Sequence, residues 1–145
     1  MSLILKSFSE LSGDELYAVL KLRQDVFVLE QQSLYGDLDD LDQVSLHLLW
    51  GQPSEMAAYL RLREEQGQCV KIERVVTAAH ARGRGLAGQL MDRALSEAHQ
   101  RWPELPVRLS AQVEVIEFYR RRGFVVCSDP YDDGGIDHVD MVLAD

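Results

Sequence analysis

The sequence predicts one α/β (α+β) domain over residues 1–145, a mixed and mostly antiparallel central sheet flanked by helices. Three observations carry that reading. Apolar runs of strand length outnumber the helical patterns. The helical patterns fall singly between strands, so that only one neighbouring strand pair needs a crossover and with it a parallel register. The composition, 46% apolar and 27% charged, is that of a chain with its own packed core, and at 145 residues such a core needs no disulfide or metal staple.

The elements follow in order. Residues 3–8 are a short apolar run and open the sheet. Ser12-Gly13-Asp14-Glu15 has the capping-box pattern, and Leu16, Val19, Leu20 and Phe27 continue it at helical spacing towards Leu29. Residues 36–42 are acidic and irregular, a loop with a short helical turn. Residues 44–50 and 56–63, separated by Gly51-Gln52-Pro53-Ser54, read as an antiparallel hairpin. Residues 69–76 form another strand, with Lys71, Glu73 and Val75 on one face. Leu86, Leu90, Met91, Ala94, Leu95 and Ala98 mark an amphipathic helix that closes before Pro103. Residues 107–111 are a strand and 113–122 a helix stopped by Gly123; residues 124–127 and 136–143 are the last strands, joined by a polar turn.

Composition also excludes. A net charge of −9 argues against binding nucleic acid through overall charge, and no run approaches the roughly 18 apolar residues that a membrane span needs. Residues 1–10 carry no long apolar stretch, and Cys69 and Cys127 stand apart with no CxxC. The expectation is a cytoplasmic protein with reduced thiols and no metal. The charge is segregated: residues 71–123 hold 10 basic and 6 acidic side chains, while residues 1–70 hold 5 and 12 and residues 124–145 hold none and 6. A basic middle suits an anion and acidic flanks suit a cation; solvated faces are the alternative.

The basic middle carries a motif. Arg82-Gly83-Arg84-Gly85-Leu86-Ala87-Gly88 lies between a strand and a helix. The literal G-x-G-x-x-G is not a dinucleotide fingerprint, because six residues, 77–82, separate the strand from the first glycine. No Gly-Lys-Ser/Thr is present, which excludes a Walker A loop. The shared physics remains. Glycines let backbone N–H groups converge on an anion, the helix presents its positive end, and two guanidinium groups suit phosphate oxygens. A pyrophosphate is the natural guest.

At these residues the chain resembles the GNAT acyl-CoA N-acyltransferases. The stretch Arg82-Gly83-Arg84-Gly85-Leu86-Ala87 is similar to the family's R/Q-x-x-G-x-G/A signature, preceded by a strand ending Glu73-Arg74-Val75-Val76. Downstream, Ser110-Ala111-Gln112 closes a strand, and Val115-Ile116-Glu117-Phe118-Tyr119-Arg120-Arg121-Arg122-Gly123-Phe124 resembles the family's second block, with Glu114 near the place where Asn is frequent. The two blocks cover about residues 69–127. Leu22-Arg23, Val26-Phe27-Val28, Glu30-Gln31, Tyr35, the acidic residues 39–42, Tyr131, Gly135-Ile136, His138 and Met141 are similar to the ElaA-like subgroup.

The resemblance implies acetyl-CoA as the acyl donor and a sheet splayed between residues 73–76 and 107–111. Val75, Val76 and Gln112 would then meet pantetheine, and Arg82, Gly83, Arg84, Gly85, Leu86 and Ala87 the pyrophosphate. The backbone N–H at or near Val75 would polarise the thioester carbonyl, and Tyr119 would supply a proton to the departing thiolate. Glu73, on the same strand face as Val75, is the expected base acting through water, with His47 and His138 as alternatives. Arg23, Glu30, Gln31, His47, Ser110 and His138 fall to the acceptor, and the acidic residues 39–42 either bind a cationic amine or form a solvated loop. The expected function is acetyl transfer to a small primary amine by direct attack in a ternary complex, with no nucleic acid or membrane partner and a homodimer as one option. A non-catalytic acyl-CoA-binding or sensing module is the alternative reading.

Overall fold

The computed structural model describes residues 3–144; residues 1, 2 and 145, the ends of the expected span, lie outside it. Strand β1 (Leu3–Ser7) precedes helix α1 (Gly13–Arg23), whose capping box forms as expected. The Ser12 hydroxyl accepts the Glu15 N–H at 3.0 Å, and the Glu15 carboxylate accepts the Ser12 N–H at 2.8 Å. Glu15 also receives Lys6 from β1 at 2.9 Å, tying helix to sheet. The helix does not run on in α geometry. Residues Gln24–Glu30 widen into π turns, with the Gln31 N–H reaching the Val26 carbonyl at 2.9 Å. Such widening inside a helix often marks a functional site.

Strands β2 (Leu46–Trp50), β3 (Ala58–Glu65) and β4 (Cys69–Thr77) form an antiparallel meander. Gln66 and Gly67, both at positive φ, make the tight turn between β3 and β4. Helix α2 (Leu86–Arg101) crosses over to β5 (Val107–Gln112), which is the parallel neighbour of β4. The expected helix over 113–122 is a 3₁₀ turn followed by α3 (Ile116–Arg120). Strands β6 (Phe124–Val126), β7 (Tyr131–Asp133) and β8 (Ile136–Leu143) complete the sheet, whose order is β1-β2-β3-β4-β5-β8-β6 with β7 paired on β8. β7 is the element that the sequence reads only as a polar turn. Its three residues, Tyr131 to Asp133, are all exposed, so they carry no alternating apolar signal.

The sheet has two differently furnished faces. Leu48, Leu60, Leu62 and Ile72 share one side by register and pack with Leu90, Met91 and Ala94 of α2 as apolar core. The opposite side, under α1, carries His47, Tyr59 and Arg61. Arg61 and Arg23 have no exposed surface, so each needs an anion within reach. The segment after the π turns supplies three. Arg23 donates to Asp37 (3.0 Å) and Asp42 (2.8 Å); Arg61 grips Asp39 with two nitrogens (2.9 and 2.5 Å) and shares Asp42 (2.9 Å). This network pins residues 31–45 to the sheet. Among the described residues, no helix is long and apolar enough to cross a membrane.

Replacing Asp42 by Ala leaves two buried guanidinium groups without their shared acceptor. Breaking a buried pair in this way costs about 3–5 kcal/mol. Urea unfolding of the Asp42→Ala variant is therefore expected to show a large fall in midpoint, and an unshifted midpoint would remove the network from the stability of the fold.

Candidate active site

The β4 and β5 strands pair only at Val70–Val107 and Lys71–Arg108, although β4 runs on to Thr77 and β5 to Gln112. Past these pairs the strands diverge and open a cleft of about 580 Å³. Its floor is residues 72–77. Val26, Phe27, Glu30 and Gln31 of the π turns line one side, Ser110, Gln112 and His138 the other, and Phe118 and Tyr119 of α3 also face it.

β4 carries a bulge within this floor. Tyr59 pairs with Val76 and Arg61 with Glu73, so Arg74 and Val75 together oppose Leu60 alone. Arg74 takes φ +58°, a left-handed conformation that costs a residue with a side chain about 1–3 kcal/mol. The extra residue corrects the face assignment made from simple alternation: Val76, not Val75, shares the face of Glu73. Glu73 lines the cleft, but Arg63 holds its carboxylate at 2.5 Å and Arg61 lies at 3.4 Å. Burial would raise the Glu73 carboxyl, yet the hydrogen bond from Arg63 and the Arg61 charge hold it below its ordinary value, which makes it a weak base.

Tyr119 is buried at the cleft wall, its ring edge-on to Phe118 and Phe124. Among the described residues its hydroxyl has no hydrogen-bond partner, and burial pushes the phenol up to about 12. His138 stands opposite Gln112 across the β5–β8 pair, and its Nδ1–H donates to the Ile136 carbonyl at 2.7 Å. That bond leaves the Nε2 lone pair free. His138 stacks on Tyr131, which donates to Asp140 at 2.6 Å and accepts a short hydrogen bond from Ser110.

At one end of the cleft, the turn before α2 has Gly83 and Gly85 at φ +80° and +72°, with open space where a Cβ would stand. Gly85 is the N-cap of α2 and offers no side-chain acceptor, so the first N–H groups of Leu86, Ala87 and Gly88 remain available to an anion. Ala87 and Arg82 line the cleft here. Arg82 is engaged by Glu30, with two contacts at 2.7 Å. That pairing sets Glu30, which the sequence reading gave to the acceptor, against the glycine turn before α2.

Two further expectations are corrected. Arg23 and His47 are not cleft residues. Arg23 lies wholly buried among Asp37, Asp42 and the Tyr59 ring, and His47 is buried between the Tyr59 hydroxyl (2.6 Å) and the Asp42 carbonyl (2.9 Å). The carbonyl fixes the proton on Nε2, and burial holds the imidazole below its ordinary pKa. Nor do Asp39 and Asp42 form a free acidic patch, since their carboxylates are spent on arginines inside the fold.

The sequence reading gave no role to Arg74 or Tyr131 and missed a seam that joins the two walls. Gln112 donates to Gln31 at 2.9 Å, Ser33 donates to the Gly134 carbonyl at 3.2 Å, and the Leu34 N–H meets the same carbonyl at 3.3 Å. Gly134, at φ +64°, sits so close to Ser33 and Tyr35 that a Cβ would collide with the Ser33 hydroxyl and crowd the Tyr35 ring. Only the tertiary packing of the β7–β8 turn brings these residues together. Glu114 and Asp133 line the cleft with no cationic partner among the described residues.

The family model described as an acetyltransferase (GNAT) domain matches residues 10–144. Protein ElaA of Escherichia coli is 38% identical over 137 residues, covering 92% of this chain and 90% of that protein. Its crystal structure superposes with a TM-score of 0.92 over 99% of this chain and 100% of that one. An acyl-CoA N-acyltransferase from Pseudomonas aeruginosa, 42% identical, superposes with a TM-score of 0.90 over 99% of each chain.

The buried titrating groups set the acid limit of the fold. His47, Asp39, Asp42 and Glu73 all have folded pKa values below their ordinary ones: burial lowers His47, and arginine partners outweigh burial for the carboxylates. A depressed folded pKa contributes stability above the unfolded value and loses it as pH falls towards the folded one. Unfolding free energy is therefore expected to decline below about pH 6.5 through His47 and more steeply below about pH 4 through the carboxylates. Urea titrations from pH 3.5 to 7.5 on the wild type and His47→Gln test this; the upper decline is expected to vanish in the variant.

Proposed function

The chain is an ElaA-like member of the GNAT acetyltransferase family, an acyltransferase by kinship, and we propose that it moves an acetyl group from acetyl-CoA to a small primary amine. The observation that carries this reading is the divergence of β4 from β5 near the glycine turn of α2, with Tyr119 lining the cleft and its hydroxyl unpartnered among the described residues. The residues fit the donor. The uncapped N–H groups of α2, the open space at Gly83 and Gly85, and Arg84 suit a pyrophosphate. Arg82 joins them by exchanging Glu30 for phosphate oxygens, which accept the same two-nitrogen grip. The free edge of β4 at Val75 and Val76 supplies strand-like partners for pantetheine amides, with Gln112 on the facing wall.

The chemistry follows from the groups that remain unengaged. The amine nitrogen attacks the thioester carbonyl carbon, and charge gathers on the carbonyl oxygen beside the backbone of the β4 bulge. As the C–S bond breaks, the electron pair passes to sulfur. Tyr119, a weak acid kept protonated by burial, hydrogen-bonds the sulfur while that charge builds and yields its proton at the end. The amine must shed a proton. The ion-paired Glu73 is poorly suited to take it, whereas the Nε2 lone pair of His138 is free for that role. Glu114 and Asp133 give the acceptor side a negative character that favours an amine arriving as a cation.

Thiol release from acetyl-CoA over a panel of amines, at low and high salt, tests the reading. Cationic amines are expected to be preferred and their rates to fall with salt. Cofactor binding without transfer to any amine would favour the sensing module instead.

Tyr119→Phe removes one hydroxyl and little volume, so CoA affinity by calorimetry should persist while maximal rate falls by about 10²–10⁴-fold. An unchanged rate would take Tyr119 out of the mechanism. Gly85→Val forces a β-branched residue into the left-handed region at the helix N-terminus. CoA binding is expected to weaken far more than thermal stability, and wild-type affinity in that variant would move the pyrophosphate elsewhere.

A further inference from the structure

We infer that Arg74 is a positioning residue, whose side chain fastens the β4 bulge to residues 37–39 and so holds the bulge backbone in register with the acyl carbonyl. The inference rests on the proposed seating of an acyl-CoA thioester in the cleft. Arg74 stands at φ +58°, where glycine would sit without strain. An arginine retained there is explained by what its side chain does. Its Nη2 donates to the Asp37 carbonyl at 3.0 Å and to Asp39 Oδ2 at 3.3 Å, its Nε lies 3.0 Å from Asp37 Oδ1, and its guanidinium lies over the Tyr35 ring at 5.1 Å.

These acceptors are themselves fixed. Arg23 holds Asp37, while Arg61 and the Leu41 N–H hold Asp39. The bulge needs such a hold, because β4 has already parted from β5 after Lys71. Among the described residues no strand pairs with residues 74 and 75 on that side, and β3 opposes both of them with Leu60 alone. The Arg74 side chain supplies a restraint from the face under α1 in place of the one a paired strand would give. It also joins the acceptor-side wall, through Tyr35 and Asp37, to the backbone that meets the carbonyl.

Isotope-edited infrared spectroscopy of acetyl-CoA labelled with ¹³C at the carbonyl, bound to the whole protein, reads this directly. A carbonyl that accepts backbone hydrogen bonds absorbs at lower frequency than in solution. The wild type is expected to show that shift and Arg74→Gly, which keeps the conformation and removes the anchor, to lose most of it. CoA affinity by calorimetry should be retained, since the pyrophosphate turn is untouched. Acetyl transfer to hydroxylamine, a small nucleophile that needs no shaped acceptor site, should fall towards the roughly 10²-fold that loss of one oxyanion donor costs. Arg74→Lys preserves the charge facing Asp37 and Asp39 but not the forked grip. It is expected to fold even if the glycine variant does not, and to show a reduced shift. A full shift in Arg74→Gly, or in Arg74→Lys should the former not fold, overturns the inference alone. Bound acetyl-CoA with no shift in the wild type overturns backbone polarisation and the inference together, and failure to bind acetyl-CoA overturns the proposed function itself.

Discussion

Two guanidinium groups with no exposed surface impose the main constraint on this molecule. Arg23 ends α1 and Arg61 lies mid-strand on β3, both on the side of the sheet that the helix covers. A charge removed from water in this way needs close counter-charges and filled hydrogen-bond positions. Asp37, Asp39 and Asp42 supply the counter-charges and most of the hydrogen bonds, the Arg61 Nε alone of these two guanidinium groups' nitrogens being buried without a partner among the described residues. The three aspartates lie on a segment with little regular structure to hold it otherwise. The segment must therefore fold back onto the sheet. Tyr35 and Ser33 are carried with it to the cleft, and the β7–β8 turn finds the surface against which Gly134 packs.

The cleft is the second consequence of topology. A crossover helix makes β4 and β5 parallel neighbours, and the two strands are then drawn in different directions. β5 follows β8 through five antiparallel pairs as far as Gln112, while β4 stays paired with β3 past the bulge as far as Thr77. Backbone groups that would have paired with each other face a space instead. Buried backbone polar groups rarely go unpaired, so an extended, amide-bearing ligand suits this gap better than an apolar one.

Charge is sorted along the same space. The glycine turn at the start of α2 brings Arg82 to the cleft, and Glu114 and Asp133 also line it. The side chains whose charge is already cancelled, Glu73 by Arg63 and Glu30 by Arg82, are those that a reading of single residues would most readily enlist as bases or substrate anchors. The Tyr119 hydroxyl and the His138 Nε2, by contrast, have no hydrogen-bond partner among the described residues.

The order of the helices and of every strand but β7, the capping box at Ser12, the glycine turn and the second block around Tyr119 were legible in the sequence. Each depends on neighbours within a few positions, through periodicity, capping chemistry or left-handed glycines. Gly83 and Gly85 could be named for that reason, and Tyr119 through the resemblance of its block to the family's second block. What needed the tertiary structure was the partner of each charge and the face of each residue beyond a register break. One extra residue in β4 moved Val75 off the face of Glu73, an outcome that alternation along a single strand cannot foresee. Arg23 and His47 carry no local mark that separates a buried structural group from a substrate contact; that distinction comes from aspartates and a tyrosine between 5 and 19 positions away. Arg74 was invisible for the same reason, because its meaning lies in Asp37 and Asp39, more than thirty residues earlier in the chain.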